Sequence, residues 1–129
     1  MASRRSGHGF TLIEVLVVLS VISLLITISV PYYLERIEQA RETALRENLR
    51  VIRGAIDRFH SDSGHFPASL EELVERRYLR DLPVDPVTGR SDTWVIEAST
   101  ETEAAQHGMA DVRSGAEGQT RKGVPYEAL

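Results

Sequence analysis

The chemically most conspicuous residue of this chain is Glu14, the one formal charge in the twenty-one residues F-T-L-I-E-V-L-V-V-L-S-V-I-S-L-L-I-T-I-S-V from Phe10 to Val30. A carboxylate well inside a membrane costs up to ~2.5–3.5 kcal/mol on insertion scales, so its presence asks for a partner. Directly before the run stands Gly9, which closes a short polar and basic leader, M-A-S-R-R-S-G-H-G. Other groupings carry less. His60, Asp62 and His65, with Asp57 one turn earlier, have metal-ligand side chains, but they straddle an expected helix stop and share no fixed face. The acid pairs Glu71/Glu72 and Asp81/Asp85 lack the apolar surroundings that would split their pKa values for acid–base work. Helix-dipole support and turn chemistry account for them. Neither a G-x-S-x-G nucleophile elbow nor a phosphate-binding loop occurs, so the sequence does not read as that of an enzyme.

The elements that must hold Gly9 and Glu14 begin with the apolar run itself. As a helix it rises about 31 Å, close to the ~30 Å hydrocarbon core of a bilayer. Arg4 and Arg5 place the N-terminus on the cytoplasmic side and the rest of the chain beyond the membrane. The leader lacks the apolar region and A-x-A site of a secretory signal. On hydropathy alone, an uncleaved signal anchor explains the same pattern. Of 129 residues, roughly one hundred remain for a single small domain. Without the leader, 13 basic residues (15 less Arg4 and Arg5) face 19 acidic ones, a balance that excludes phosphate-neutralising nucleic-acid binding. The chain has no cysteine, so the domain must hold together by packing, assembly or metal.

After Pro31, Leu34, Leu45, Leu49, Ile52, Ile56 and Phe59 recur at helical spacing, with Ile37, Ala44 and Ala55 at the edge of that face. The opposite face alternates in charge, with Glu42 and Arg46 four apart. One amphipathic helix is expected from about Tyr32 to His60, continuing the apolar helix across a bend at Pro31. The two together make a stalk about 75 Å long. Gly54 in its interior has two explanations, a close approach of a covering sheet or a tolerated weak spot costing ~1 kcal/mol. Gly64 and Pro67 stop the helix. Ser69-Leu-Glu-Glu72 is a capping box, opening a short helix from Leu70 to about Arg77. Residues 78–89 are turn-rich, Thr93–Ala98 reads as a strand, Ser99–Gln106 as a loop, and the tail from His107 as short strands with tight turns.

The leader, Gly9, F-T-L-I-E-V and the long apolar run resemble the class III signal of type IV pilins and type II secretion pseudopilins. Pro31 stands where that family commonly has a proline. R-F-H-S-D-S-G-H-F-P, S-L-E-E-L and Y-L-R-D-L-P-V-D-P-V-T-G resemble the stalk end, short helix and turn of the G-type major pseudopilin. G-M-A-D-V-R-S-G-A-E-G and G-V-P-Y-E-A-L resemble its C-terminal loop and end.

The resemblance implies a pilin-like α+β fold, with a long N-terminal helix packed on a small C-terminal antiparallel sheet. It divides the chain into a leader (1–9), a transmembrane polymerisation helix (10–30), a helical stalk (31–60) and a periplasmic head (61–129). It implies cleavage after Gly9 by a prepilin peptidase, N-methylation of Phe10, and self-assembly into a periplasmic fibre at the inner membrane. Partners would be further copies, other pseudopilins and the inner-membrane platform. Glu14 would pair with the freed Phe10 ammonium of a neighbouring protomer, and such a pair can fix axial register. The other reading of Glu14 is a side chain snorkelling to the headgroups. The resemblance also implies one calcium in the C-terminal loop, with Asp111, Ser114 and Glu117 as oxygen donors. Calcium takes six to eight oxygens, so main chain or water would supply about half. Glu117 stands where the family more often has aspartate, and Leu129 where it often has tryptophan; a glycine-rich surface turn is the alternative. Two further readings remain open. One is a type IV or minor pilin for adhesion, motility or DNA uptake, weakly opposed by the missing cysteines. The other is a signal-anchored binding or scaffolding module that never polymerises.

Overall fold

The computed structural model describes residues 7, 9–99 and 108–129. Arg4 and Arg5 of the leader, and the polar stretch that follows Ser99, lie outside the described residues. The chain forms two compact units, Met1–Ile37 and Glu38–Leu129. Helix α1 runs Leu12–Ser63 without interruption and contributes to both. Pro31 lies inside it rather than at a break.

In the first unit every residue from 9 to 36 is exposed, including the whole apolar run. By length and composition this stretch can cross a membrane. Three of its hydroxyls suit that medium, because each donates to a carbonyl one turn back: Ser20 to Leu16, Ser23 to Leu19 and Thr27 to Ser23, at 2.7–2.8 Å. The protons of these three are satisfied without water or lipid headgroups.

The second unit is built on the three-and-four spacing of α1. Leu45, Leu49, Ile52, Ala55, Ile56 and Phe59 are buried. Leu34 and Ala44 are exposed in the single chain, so the stripe buried within the head starts after them. One expectation for this face fails. Glu42, expected on the charged face, instead extends the buried one. Its Oε1 accepts from the Arg121 main-chain N–H at 2.6 Å, which compensates its burial, while Arg46 approaches only to 3.9 Å. Gly54 settles its own alternatives, since a Cβ there would meet nothing within 4 Å. No sheet approaches it, and it is a weak spot in the helix.

Helix α2 spans Leu70–Glu75, ending sooner than expected because Arg77 turns left-handed (φ 64°). Ser69 Oγ caps it by accepting from Glu72 N–H, and the Glu72 carboxylate reaches back one residue further than expected, to Ala68 N–H at 2.7 Å. Strands β1 (Trp94–Ala98) and β2 (Met109–Ser114) form a two-stranded antiparallel sheet in which Trp94 faces Ser114, Val95 faces Arg113 and Glu97 faces Asp111. The tail closes with a bridge between Gln119 and Pro125 and a 3-10 turn, Tyr126–Ala128. Leu70, Leu73, Leu79, Trp94, Met109, Val112 and Tyr126 complete the core against α1. This is a pilin-like α+β arrangement, a long N-terminal helix with a small antiparallel sheet.

Candidate assembly and processing site

Thr11 fixes where the helix begins. Its carbonyl accepts from Val15 N–H at 3.2 Å and its hydroxyl oxygen from Glu14 N–H at 3.3 Å, the two bonds of an N-cap. Thr11-Leu-Ile-Glu14 therefore has capping-box spacing, with Glu14 as the third helical residue. The expected start at Phe10 is displaced to Leu12 by this cap. The same spacing recognised at Ser69–Glu72 would have found it. Glu14 thus lies in the first turn, where the positive end of the helix dipole favours a carboxylate. Gly9 and Phe10 precede the helix, and Phe10 is 83% exposed. The peptide bond joining them is outside the helical hydrogen-bond ladder, in the exposed, non-helical backbone where proteolysis concentrates.

The C-terminal residues have other partners. Asp111 Oδ1 accepts from Arg53 Nε at 2.7 Å and from Val112 N–H at 2.7 Å. Arg53 also donates from Nη2 to the main-chain oxygens of Val112 and Leu129, both at 3.0 Å. Ser114, three residues on in the same strand, points to the opposite face. It is buried, and its hydroxyl donates to Asp85 Oδ2 at 2.5 Å. Glu117 is exposed in the following turn. Ser114 and Glu117 line one groove, from which Asp111 is absent, and Asp111 already holds a guanidinium. Among the described residues no group of three or more His, Cys, Asp or Glu could hold a metal ion. Alternation along β2 puts the side chains of Asp111 and Ser114 on opposite faces, so these two do not converge on one point.

Asp85 was read only as turn chemistry, yet it is fully buried at the centre of this region. Its Oδ1 accepts from Val87 N–H (2.8 Å) and Thr88 N–H (3.3 Å), so it ties the turn before β1 to the end of β2. The contact spans 29 residues, and no local pattern announces it. Tyr126 is also buried; burial, then the nearby carboxylates of Glu38 and Glu42, push its pKa above the ordinary tyrosine value, with Arg41 opposing. The His60–Asp62–His65 cluster is structural. His60 stacks on Phe66, Asp62 accepts from the Tyr78 hydroxyl, and His65 Nδ1 lies 3.0 Å from the Phe66 carbonyl oxygen.

Residues 4–30 match the prokaryotic N-terminal methylation motif. A type II secretion system core protein G of Pseudomonas aeruginosa is 33% identical over 99 residues, covering 64% of this chain and 70% of the relative. The same-named protein of Escherichia coli is 30% identical over 102 residues, 67% of this chain and 70% of the relative. The chain belongs to the type II secretion system core protein G family. A Klebsiella pneumoniae core protein G extends the likeness to 83% of this chain and 82% of its own length, at 29% identity. No solved structure matches the chain significantly. As a core protein G, the chain is a pseudopilin subunit of type II secretion, and the type IV pilin and signal-anchored readings are not favoured. Membership gives the N-terminal geometry its context: the methylation motif covers the non-helical Gly9–Phe10 bond, the Thr11 cap and Glu14 together.

Proposed function

We propose that a membrane prepilin peptidase cleaves this core protein G between Gly9 and Phe10 and methylates the new Phe10 terminus. The mature chain is then polymerised from the inner membrane into a periplasmic pseudopilus that drives protein export. Single-pass anchoring places the N-terminus in the cytoplasm and the head in the periplasm. Residues 10–30 serve as the membrane and polymerisation helix, residues 31–60 as the stalk, residues 61–129 as the head, and Pro31 as the point at which the helix bends. The role is structural rather than catalytic. Its partners are further copies of the chain, other pseudopilins and the inner-membrane platform.

The observation that carries this reading is the match to the methylation motif, in which Gly9–Phe10 stands free of the helix and Glu14 sits in the first turn. A helix packed beside identical helices in lipid gains little from hydrophobicity, so close contact and polar pairing decide register. Glu14 is the one formal charge in the span, and the freed Phe10 ammonium of a neighbour is the cation that cleavage creates beside it. Opposite charges in that medium attract strongly, and either left unpaired is costly. Cross-linking of membrane-embedded chains tests the pair. The proposal expects Glu14→Leu to remove cross-linked multimers without reducing the membrane-bound monomer; multimers undiminished in Glu14→Leu would reject it.

A further inference from the structure

The outer face of the β1–β2 sheet gathers several carboxylates around two guanidinium groups. Directly opposed residues of an antiparallel pair share a face, so Val95 and Arg113 lie on the same side as Glu97 and Asp111. Glu97 and Asp111 are directly opposed, an arrangement in which like charges repel. Glu127, from the 3-10 turn, reaches the same group, and Glu117 lines the adjoining groove of about 360 Å³ beside Arg113, Gly115 and Glu127.

Two guanidinium groups answer this charge. Arg53 holds Asp111 at 2.7 Å. Arg113 Nε lies 3.4 Å from Glu97 Oε1, and its Nη1 lies 3.8 Å from Glu127 Oε2. Arg113 Nε is buried and makes no hydrogen bond, so what holds it is the carboxylate charge around it. A guanidinium cannot be deprotonated in a protein, so both positive charges are permanent. A divalent ion entering here would meet Arg113 already placed between Glu97 and Glu127, and Arg53 already on Asp111. Gly115 holds the chain after β2 tight against the start of β1, because a Cβ there would collide with the Thr93 carbonyl oxygen.

We infer that Arg53 and Arg113 are the built-in cations of this C-terminal loop, so that the head is held without a divalent metal ion. The inference concerns the head alone and does not depend on how the N-terminus is processed.

Thermal unfolding of the full chain in detergent tests it, followed by fluorescence of Trp94. Trp94 is the single tryptophan, and it is buried in the head with its indole donating to the Pro83 carbonyl. The parent is melted as purified, with EDTA, and with millimolar calcium chloride. The expected Tm agrees across all three conditions within about 1 °C, whereas Arg113→Gln lowers it by roughly 4 °C or more. Arg113→Lys, which keeps the charge, stays closer to the parent than Arg113→Gln. In a Glu127→Gln background the further loss from Arg113→Gln shrinks, because the two groups share one interaction. A parent Tm that falls with EDTA or rises by several degrees with calcium overturns the inference. So does an Arg113→Gln chain that melts with the parent, or an Arg113→Lys chain as damaged as Arg113→Gln. Should Arg113→Gln fail to fold, the EDTA and calcium arms on the parent still decide.

Discussion

Replacing Asp85 by alanine removes three hydrogen-bond acceptor contacts at once. The Ser114 hydroxyl, fully buried, loses the oxygen it donates to at 2.5 Å. The N–H groups of Val87 and Thr88 lose Oδ1, but both residues are half-exposed, so water can replace part of what they lose. A buried donor left unsatisfied costs about 1–3 kcal/mol. One full penalty plus two partial ones puts Asp85→Ala at roughly 3–5 kcal/mol, a large share of the ~5–15 kcal/mol that holds a typical domain. Asp85→Asn keeps an acceptor for the two N–H groups and offers an amide donor to Ser114 Oγ, which has lone pairs to accept it. That hydroxyl's own proton must then find a new acceptor, so the cost is about 1–3 kcal/mol, below that of Asp85→Ala because the two N–H groups keep their acceptor. Ser114→Ala falls between, because it removes the donor to Asp85 and the acceptor of Ala116 N–H at 3.1 Å. The assay is urea unfolding of the full chain in detergent, read by Trp94 fluorescence, with the midpoint moving at constant slope. Asp85→Ala within about 0.5 kcal/mol of the parent, or Asp85→Asn as damaging as Asp85→Ala, would refute the reasoning.

Two further outcomes follow from the same structure. Gly54→Ala should stabilise the head by about 0.5–1 kcal/mol, since the new methyl meets open space and the helix gains propensity; a lower urea midpoint would contradict this. Tyr126 gives an alkaline signature. Its pKa is raised on folding, so its contribution is fully present below the unfolded value of about 10 and is lost as pH rises through the folded value. Parent stability should therefore fall above about pH 10 more steeply than that of Tyr126→Phe, and parallel pH profiles of the two would count against it.

Much of the fold is local enough to read from the chain. The α1 core positions from Leu45 to Phe59 follow from helical spacing, and the α2 cap follows from Ser69-x-x-Glu72. The methylation motif is legible for the same reason, because residues 4–30 form one continuous stretch. Thr11 carries an equally local signal, hidden by the attention a continuous apolar run attracts. The misreadings come from distance. Glu42 looks like half of an exposed i,i+4 pair until Arg121, 79 residues away, supplies the N–H that permits its burial. Asp111 is a candidate ligand by residue type, and no local pattern announces its pairing with Arg53, 58 residues away. Ser114 looks like its neighbour in a ligand set until strand alternation turns it inward toward Asp85. Short-range chemistry can be read from residue types, whereas a pairing such as Asp111 with Arg53 depends on which helix crosses which strand.

Processing at the N-terminus decides whether this chain matures as a pseudopilin. Mass spectrometry of the N-terminal peptide from the membrane-bound chain, made with and without an active prepilin peptidase, reads it in one measurement. The account predicts a methylated Phe10 terminus when the peptidase is active and a chain still carrying Met1–Gly9 when it is not. An intact Met1 or Ala2 terminus in the presence of the active peptidase would contradict it.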